Sequence, residues 1–191
     1  MTDWPNTWTA ALGPLTVELP LVTMPSGSRI YAFDLMGKTT WNEVAAELLA
    51  DRIRETGIGF DIFLTAEAKA IALNQVLAAK LGHGDYIVAR KSLKVYMTEP
   101  LEIEVRSVTT AAVQKFYLSR DRCDMLRGQR VCVVDDVVST GGTMGAFFDL
   151  ADRVGFEIVL IACALTEGGE RTEFQGVPLI SLGHIPFPGA T

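Results

Sequence analysis

The sequence predicts an α/β fold with a largely parallel central sheet. Three observations carry that prediction. Short apolar runs alternate along the chain with stretches in helical spacing, the pattern of strands joined by helices and laid side by side in parallel. The 191 residues, 49% of them hydrophobic and 21% charged, suffice for one sizeable core and fall short of two full domains. The segment VCVVDDVVSTGGT runs from four apolar residues through two acids into a glycine turn, and reads as strand, acids, loop and helix.

Taken in order, residues 28–35 hold Ile30, Tyr31 and Phe33 in a strand-like run, and residues 41–55 switch to helical spacing through Val44, Leu48 and Leu49. Gly57 and Gly59 stop that helix. The next unit has a strand at 60–64, a helix at 67–81 and a strand at 86–89. From 101 to 118 the pattern changes, because Ile103, Val105, Val113, Phe116 and Leu118 suit extended segments, and a two-stranded excursion is expected. Alternation resumes with a strand at 130–134, a helix at 140–154 and a strand at 158–165. There is no internal repeat, low-complexity tract or linker, so residues 1–191 are expected to form a single domain.

Composition narrows the partners. A net charge of −6 and a pI of about 4.9 do not suggest a broad electrostatic footprint for DNA or RNA, so a polyanionic ligand must be met locally. Cys123, Cys132 and Cys163 lack CxxC spacing, and two of them lie in apolar strand-like runs, as reduced core thiols do. The opening MTDWPNTWTAALG carries Asp3 and no basic residue, unlike a secretory signal. The longest apolar run, 158–165, is far below the roughly twenty residues of a membrane span. A soluble cytoplasmic protein with no membrane partner is expected.

The chemistry concentrates in residues 131–143. Gly141 and Gly142 let the backbone turn tightly against a ligand, the helix that follows offers unpaired N–H groups at its positive dipole end, and Thr140 and Thr143 add hydroxyls. Together these cradle one phosphate monoester. Asp135 and Asp136 would repel that phosphate unless they face another part of the ligand. Ionised carboxylates only accept hydrogen bonds, so vicinal ribose hydroxyls suit them, and a nearby Mg²⁺ would offset their charge. A P-loop needs a Lys after its last glycine, where Thr143 and Met144 stand here. A dinucleotide fingerprint needs its acid after the glycines, whereas these acids precede them. The plainer alternative is a helix-starting turn with two solvated aspartates.

This segment resembles the phosphoribosyl diphosphate motif of type I phosphoribosyltransferases. The resemblance implies that fold, with a small hood and a flexible β loop, and residues 1–27 as an N-terminal hood or interface segment. It also implies that Asp135 and Asp136 are the catalytic pair on the ribose hydroxyls, that Ser139, Thr140, Gly141, Gly142 and Thr143 bind the 5-phosphate, and that Val137 meets the base.

A second anion site is expected for the diphosphate. The segment TAEAK follows the strand FDIFL and opens the expected helix, which directs free N–H groups at an anion. By resemblance Ala66, Glu67, Ala68 and Lys69 form the diphosphate loop. Read plainly, Thr65 is an N-cap and Glu67 a first-turn acid. Arg90, Lys91 and Lys94 in ARKSLK resemble the Arg-Lys stretch before the flexible loop of adenine and xanthine phosphoribosyltransferases; without that neighbourhood they are a solvated basic patch. Residues 95–120 would be the flexible loop and its strands, closing to exclude water. Ser107, Thr109, Thr110 and Lys115 are placed to reach diphosphate but are equally ordinary in a hairpin, and carry no assignment.

The reaction implied displaces diphosphate from C1 of the sugar by a ring nitrogen of a purine, giving a nucleoside monophosphate in purine salvage. Mg²⁺ would be held mainly through ligand oxygens, with no metal site built from protein residues. Ser139 stands where eukaryotic hypoxanthine-guanine enzymes have an aspartate, which favours adenine, while ARKSL and the loop after it also resemble xanthine enzymes. The hood over the base is expected from 164–170 and 184–188. Glu167 is the candidate base contact, its alternative being a solvated acid in a surface turn. For His83 and His184 a packing or surface role is expected. Other readings are a xanthine, guanine or hypoxanthine enzyme, an orotate enzyme, and a non-catalytic sensor of phosphoribosyl diphosphate or nucleotide. The segment before Ser28 offers no winged helix or basic stripe for DNA. Enzymes resembling this one are usually homodimers.

Overall fold

A computed structural model describes residues 4–105 and 114–190. The chain opens with a hairpin of β1 (Thr7–Leu12) and β2 (Leu15–Thr23). Strict alternation along β2 buries Val17 and Leu19 and exposes Thr16, Glu18 and Pro20, the period of a sheet with one covered face. Gly13, at φ 58°, takes the first central position of the two-residue turn. These strands were not anticipated for residues 1–27. Next, β3 (Ser28–Tyr31) pairs antiparallel with β2. The run expected at 28–35 thus ends early as a strand and joins a small antiparallel sheet.

Helix α1 (Thr39–Thr56) buries Asn42, Ala45, Ala46, Leu49, Ala50 and Ile53, one stripe at helical spacing, and ends on Gly57 at φ 65°. Strand β4 (Ile62–Ala66) is wholly buried. Helix α2 (Ile71–Lys80) starts four residues later than the sequence predicts, because residues 67–70 form a turn. Strand β5 (Tyr86–Ala89) follows as expected. The excursion is an antiparallel pair, β6 (Leu101–Val105) and β7 (Gln114–Leu118), in which Glu102 and Lys115 form a 2.5 Å ion pair. Ser107, Thr109 and Thr110 lie outside the described residues. A short helix, α3 (Arg120–Leu126), was not foreseen; Ser119 as N-cap residue and Asp121 in the first turn were its signals.

Strand β8 (Arg130–Val138) runs past the expected end at 134 and includes both acids. Helix α4 (Gly142–Val154), strand β9 (Glu157–Glu167), the short β10 (Glu173–Phe174), β11 (Val177–Ile185) and β12 (Gly189–Ala190) complete the order. The helix expected at 140–154 begins two residues later, since Gly141 at φ 89° is its N-cap.

The six-stranded sheet has the order β10-β11-β9-β8-β4-β5, parallel from β11 to β5, with β10 antiparallel at the edge. The small sheet has the order β1-β2-β3-β12. Alternation along β8 divides the core: Val131 and Val133 pack with Phe147 and Leu150 of α4 and Phe116 of β7. Cys132 and Val134 pack with Leu49, Leu73 and Leu77 of α1 and α2 and with Val17 and Leu19 of the small sheet. All three cysteines are buried and free, and burial pushes the Cys132 and Cys163 thiols far above the ordinary range. His83 stacks on Phe60 at 4.8 Å, a packing role.

The topology also picks out one location. From β4 the chain moves outward to β5, whereas from β8 it moves the other way to β9 and β11. The carboxyl ends of β4 and β8 are therefore a switch point, where diverging connections leave an open crevice.

Candidate functional site

The two turns singled out in the sequence leave the two strands at that switch point, residues 67–70 from β4 and residues 139–141 from β8. A cavity of about 370 Å³ opens there. Its polar wall carries Lys69, Asp135, Asp136, Glu167 and the whole turn from Ser139 to Thr143. Its apolar wall carries Val137, Val138 and Ile185 from the main sheet, Ile30, Tyr31 and Phe33 around β3, and Met24 and Phe187. The small sheet and the C-terminal segment thus cover one side of the crevice.

At the glycine turn, α4 begins with no side-chain capping hydrogen bond, and its first turn has no acidic residue. The first N–H groups of a helix have no intrahelical acceptor, so this end presents unpaired donors at the positive pole of the dipole. The uncapped helix start read from the sequence is therefore present as local geometry.

The acids differ. Adjacent residues of a strand point to opposite faces, and Asp135 and Asp136 consequently meet different surroundings although both reach the cavity. Asp135 Oδ1 accepts the Asp136 N–H at 2.9 Å. Its burial, followed by repulsion from Asp136, holds its carboxyl well above the usual carboxylate range. Asp136 Oδ2 is buried and has no hydrogen-bond donor among the described residues; the Lys69 ammonium stands 3.5 Å away, an ion-pair distance. Asp136 lines the cavity, and a carboxylate oxygen without a hydrogen-bond donor is a ready acceptor for a hydroxyl or a metal-bound water.

Lys69 is the one expected member of the second anion site that lines the cavity, and its Nζ also donates to the Phe33 carbonyl at 2.9 Å. The helix expected to open here starts only at Ile71. Residues 66–69 do not open a helix; Ala66 ends β4, the Glu67–Ala68 peptide is cis, and the Glu67 N–H is taken by the Ala89 carbonyl at 2.9 Å. The Glu67 carboxylate faces away, pairing with Arg90 at 3.2 Å and accepting the Lys91 N–H at 2.9 Å. An acid beside a basic neighbour is neutralised locally, which explains its turn away from the crevice. Lys94 Nζ donates to Ser92 at 2.6 Å, and none of Arg90, Lys91 and Lys94 lines the cavity.

Glu167 ends β9 beside β8. It accepts from Ser139 Oγ at 2.5 Å, and burial raises its carboxyl above the ordinary value against the lowering effects of Ser139 and Lys69. The solvated-acid alternative is thereby set aside. Met24 and Phe187 fall within the segments expected as hood, whereas Tyr31 and Phe33 were not singled out as wall residues; all four are ordinary apolar residues, Phe187 far from the rest in the chain, and only the tertiary fold brings them together.

Among the described residues no group of three or more His, Cys, Asp or Glu gathers as a metal site. Among the described residues no helix is long and apolar enough to cross a membrane.

Comparison with known proteins agrees with this geometry. A hypoxanthine/guanine phosphoribosyltransferase of Methanothrix soehngenii is 28% identical over 149 residues, covering 77% of this chain and 75% of that protein. An adenine phosphoribosyltransferase of Thermotoga petrophila is 34% identical over 117 residues, 61% of either chain. The crystal structure of adenine phosphoribosyltransferase from Thermoanaerobacter pseudethanolicus superposes with a TM-score of 0.67 at 22% identity, over 87% of this chain and 95% of that one, which establishes the shared fold. The profile of the phosphoribosyl transferase domain matches residues 40–180, and the chain belongs to that phosphoribosyltransferase family.

Proposed function

We propose that the protein is a purine phosphoribosyltransferase that takes phosphoribosyl diphosphate as donor and adenine as its preferred acceptor, with residues 1–191 acting as one catalytic unit. The observation that carries this reading is the meeting, in one cavity of about 370 Å³, of an unpaired helix N-terminus, the Asp135–Asp136 pair and an apolar wall ending in Glu167. A phosphate, a ribose and a flat aromatic base need these three surfaces in that combination.

In this reading the turn from Ser139 to Thr143 holds the 5-phosphate, and Asp136 Oδ2, which lacks a donor, accepts from a ribose hydroxyl. Lys69 leaves Asp136 and the Phe33 carbonyl to meet the diphosphate, since a doubly charged oxyanion outcompetes a carbonyl for an ammonium. Arg90, Lys91 and Lys94, which follow β5 outside the cavity lining, add positive charge for the diphosphate. Mg²⁺ fits the residues present as a guest of the diphosphate: two carboxylates can hold its water shell, and no protein cage is available among the described residues. When bound it would neutralise charge building on the departing diphosphate. The chain's own contribution is placement of C1 against the base nitrogen, with dipoles fixed around the leaving group.

Adenine is favoured because Ser139 occupies Glu167 Oε2 and leaves Oε1 to accept from an exocyclic amine. A 6-oxo purine would set its carbonyl oxygen against that carboxylate. The Methanothrix relative supports the second reading, a hypoxanthine or guanine acceptor. The deciding experiment supplies the purified protein with Mg²⁺, phosphoribosyl diphosphate and one of adenine, hypoxanthine, guanine, xanthine or orotate, and measures diphosphate release. Adenine is expected to lead; release with a 6-oxo purine first reverses the choice of base, and no release with any base overturns the enzyme reading.

A further inference from the structure

The phosphate turn has a second face, turned away from the cavity, and an aromatic ring is pressed against it. Phe174 belongs to β10, which pairs with the start of β11 through Phe174–Val177 and Glu173–Pro178. The two residues between them, Gln175 at φ 51° and Gly176 at φ 81°, are both left-handed, as the tightest hairpin turn requires. The Leu179 N–H closes the same unit onto the Thr172 carbonyl at 2.8 Å. This edge hairpin carries the ring to Gly141, where a Cβ would overlap Phe174 Cε2 and Cζ.

The ring is held by what surrounds it. Phe148, on α4, stacks against it at a centroid distance of 6.0 Å and 25°, and the Arg171 guanidinium lies 5.6 Å from its centroid. Phe174 also borders the groove behind the turn together with Thr140, Gly141 and Gly142, and it is absent from the cavity that holds the acids. It touches the turn and not the substrate.

Such a contact matters because the Ser139–Glu167 hydrogen bond holds only the first residue of the turn and leaves its two glycines to be fixed. Two successive glycines leave the backbone many accessible conformations, and α4 starts with no side-chain cap. Donors at a helix N-terminus bind an anion well only when they already converge on one point, since any ordering cost is subtracted from affinity. Gly141 is then required twice: its φ of 89° disfavours any side chain, and the ring fills the space a Cβ would take.

We infer that Phe174 is a positioning residue that preorganises the Ser139–Thr143 turn for the 5-phosphate of the donor. This rests on the proposed function above, and its test separates the two. Ribose 5-phosphate binding is measured by calorimetry for the wild type, Phe174→Ala and Phe174→Leu, alongside steady-state kinetics in both substrates. For Phe174→Ala the donor KM is expected to rise about tenfold, with kcat and base KM within about twofold, and ribose 5-phosphate affinity to fall by the same factor. Phe174→Leu, which refills part of the space, lies between and recovers most of the affinity. It also keeps the test open if the alanine variant does not fold. Equal affinities of wild type and both variants, or a loss spread evenly over both KM values and kcat, overturn the role of Phe174. A wild type that binds no ribose 5-phosphate overturns the phosphate site and this inference together.

Discussion

The Ser139 hydroxyl donates to Glu167 Oε2 at 2.5 Å, joining the first residue of the glycine turn to the end of β9. The turn is the phosphate cradle in the proposed reading, and Glu167 borders the apolar wall. A single hydrogen bond thus spans two halves of the cavity to which that reading assigns chemically different parts of the reactants.

Breaking this link from its two ends should have different consequences. Glu167→Gln is expected to raise the purine KM about tenfold while the donor KM stays within about twofold, the loss being one charge-assisted hydrogen bond. Ser139→Ala, which frees Glu167 and alters the turn, should raise both. Because the Glu167 carboxyl titrates above its ordinary value, the wild-type purine KM should climb as pH falls through that raised value. Glu167→Gln should lack that climb; steady-state kinetics against pH checks both.

Asp135 predicts a conflict between stability and use. Its native carboxyl holds a proton to higher pH than the unfolded one, so the native state binds more protons in between. Stability contributed by this group is therefore full below the unfolded value and is lost as pH rises toward the native one. Asp135→Asn should raise the melting temperature of the ligand-free protein at neutral pH by a few degrees, given about 2–4 °C per kcal/mol at this chain length. The gain should vanish near pH 4. Scanning calorimetry across pH measures it, and a variant less stable at neutral pH would refute the assignment.

Asp136 should behave in the opposite way. Removing its charge should leave the fold intact, since Oδ2 makes no hydrogen bond among the described residues and its ion pair is with the half-exposed Lys69, but in the proposed reading it replaces the charged acceptor for the sugar with a neutral amide. Asp136→Asn is expected to lower kcat/KM for the donor by about ten- to a hundredfold, the range for a hydrogen bond to a charged group. Melting temperature should shift little. Unchanged kinetics would exclude Asp136 from sugar binding.

Gly141→Ala should be damaging on two counts, the left-handed φ of 89° and the overlap with Phe174. A stability loss of about 1–3 kcal/mol is expected from the backbone alone, together with weaker ribose 5-phosphate binding. Gly145→Ala serves as control, because nothing lies near its missing Cβ. Urea unfolding of the two variants should separate them clearly.

Local chemistry determined the parts of this protein that are written in consecutive residues. The apolar run of β8, the acids that follow it and the Gly141–Gly142 turn could be read as strand, carboxylates and helix start because each depends on neighbours in the chain. The helical stripe of α1 and the stop at Gly57 were legible for the same reason. Even there, boundaries moved: β8 extends through Asp136 because parallel pairing with β9 continues past it. Tertiary structure decided everything that depends on residues distant in sequence. It turned Glu67 toward Arg90 and Lys91, brought Lys69 to Asp136, and raised Asp135 by burying it beside its neighbour. It also folded the segment expected as hood or interface into a sheet whose Tyr31 walls the cavity, and set Phe174 behind Gly141. Spacing along a chain encodes periodicity and turns, whereas the partner of a charge or a ring is settled only when β4, β8, β9 and the small sheet pack against one another.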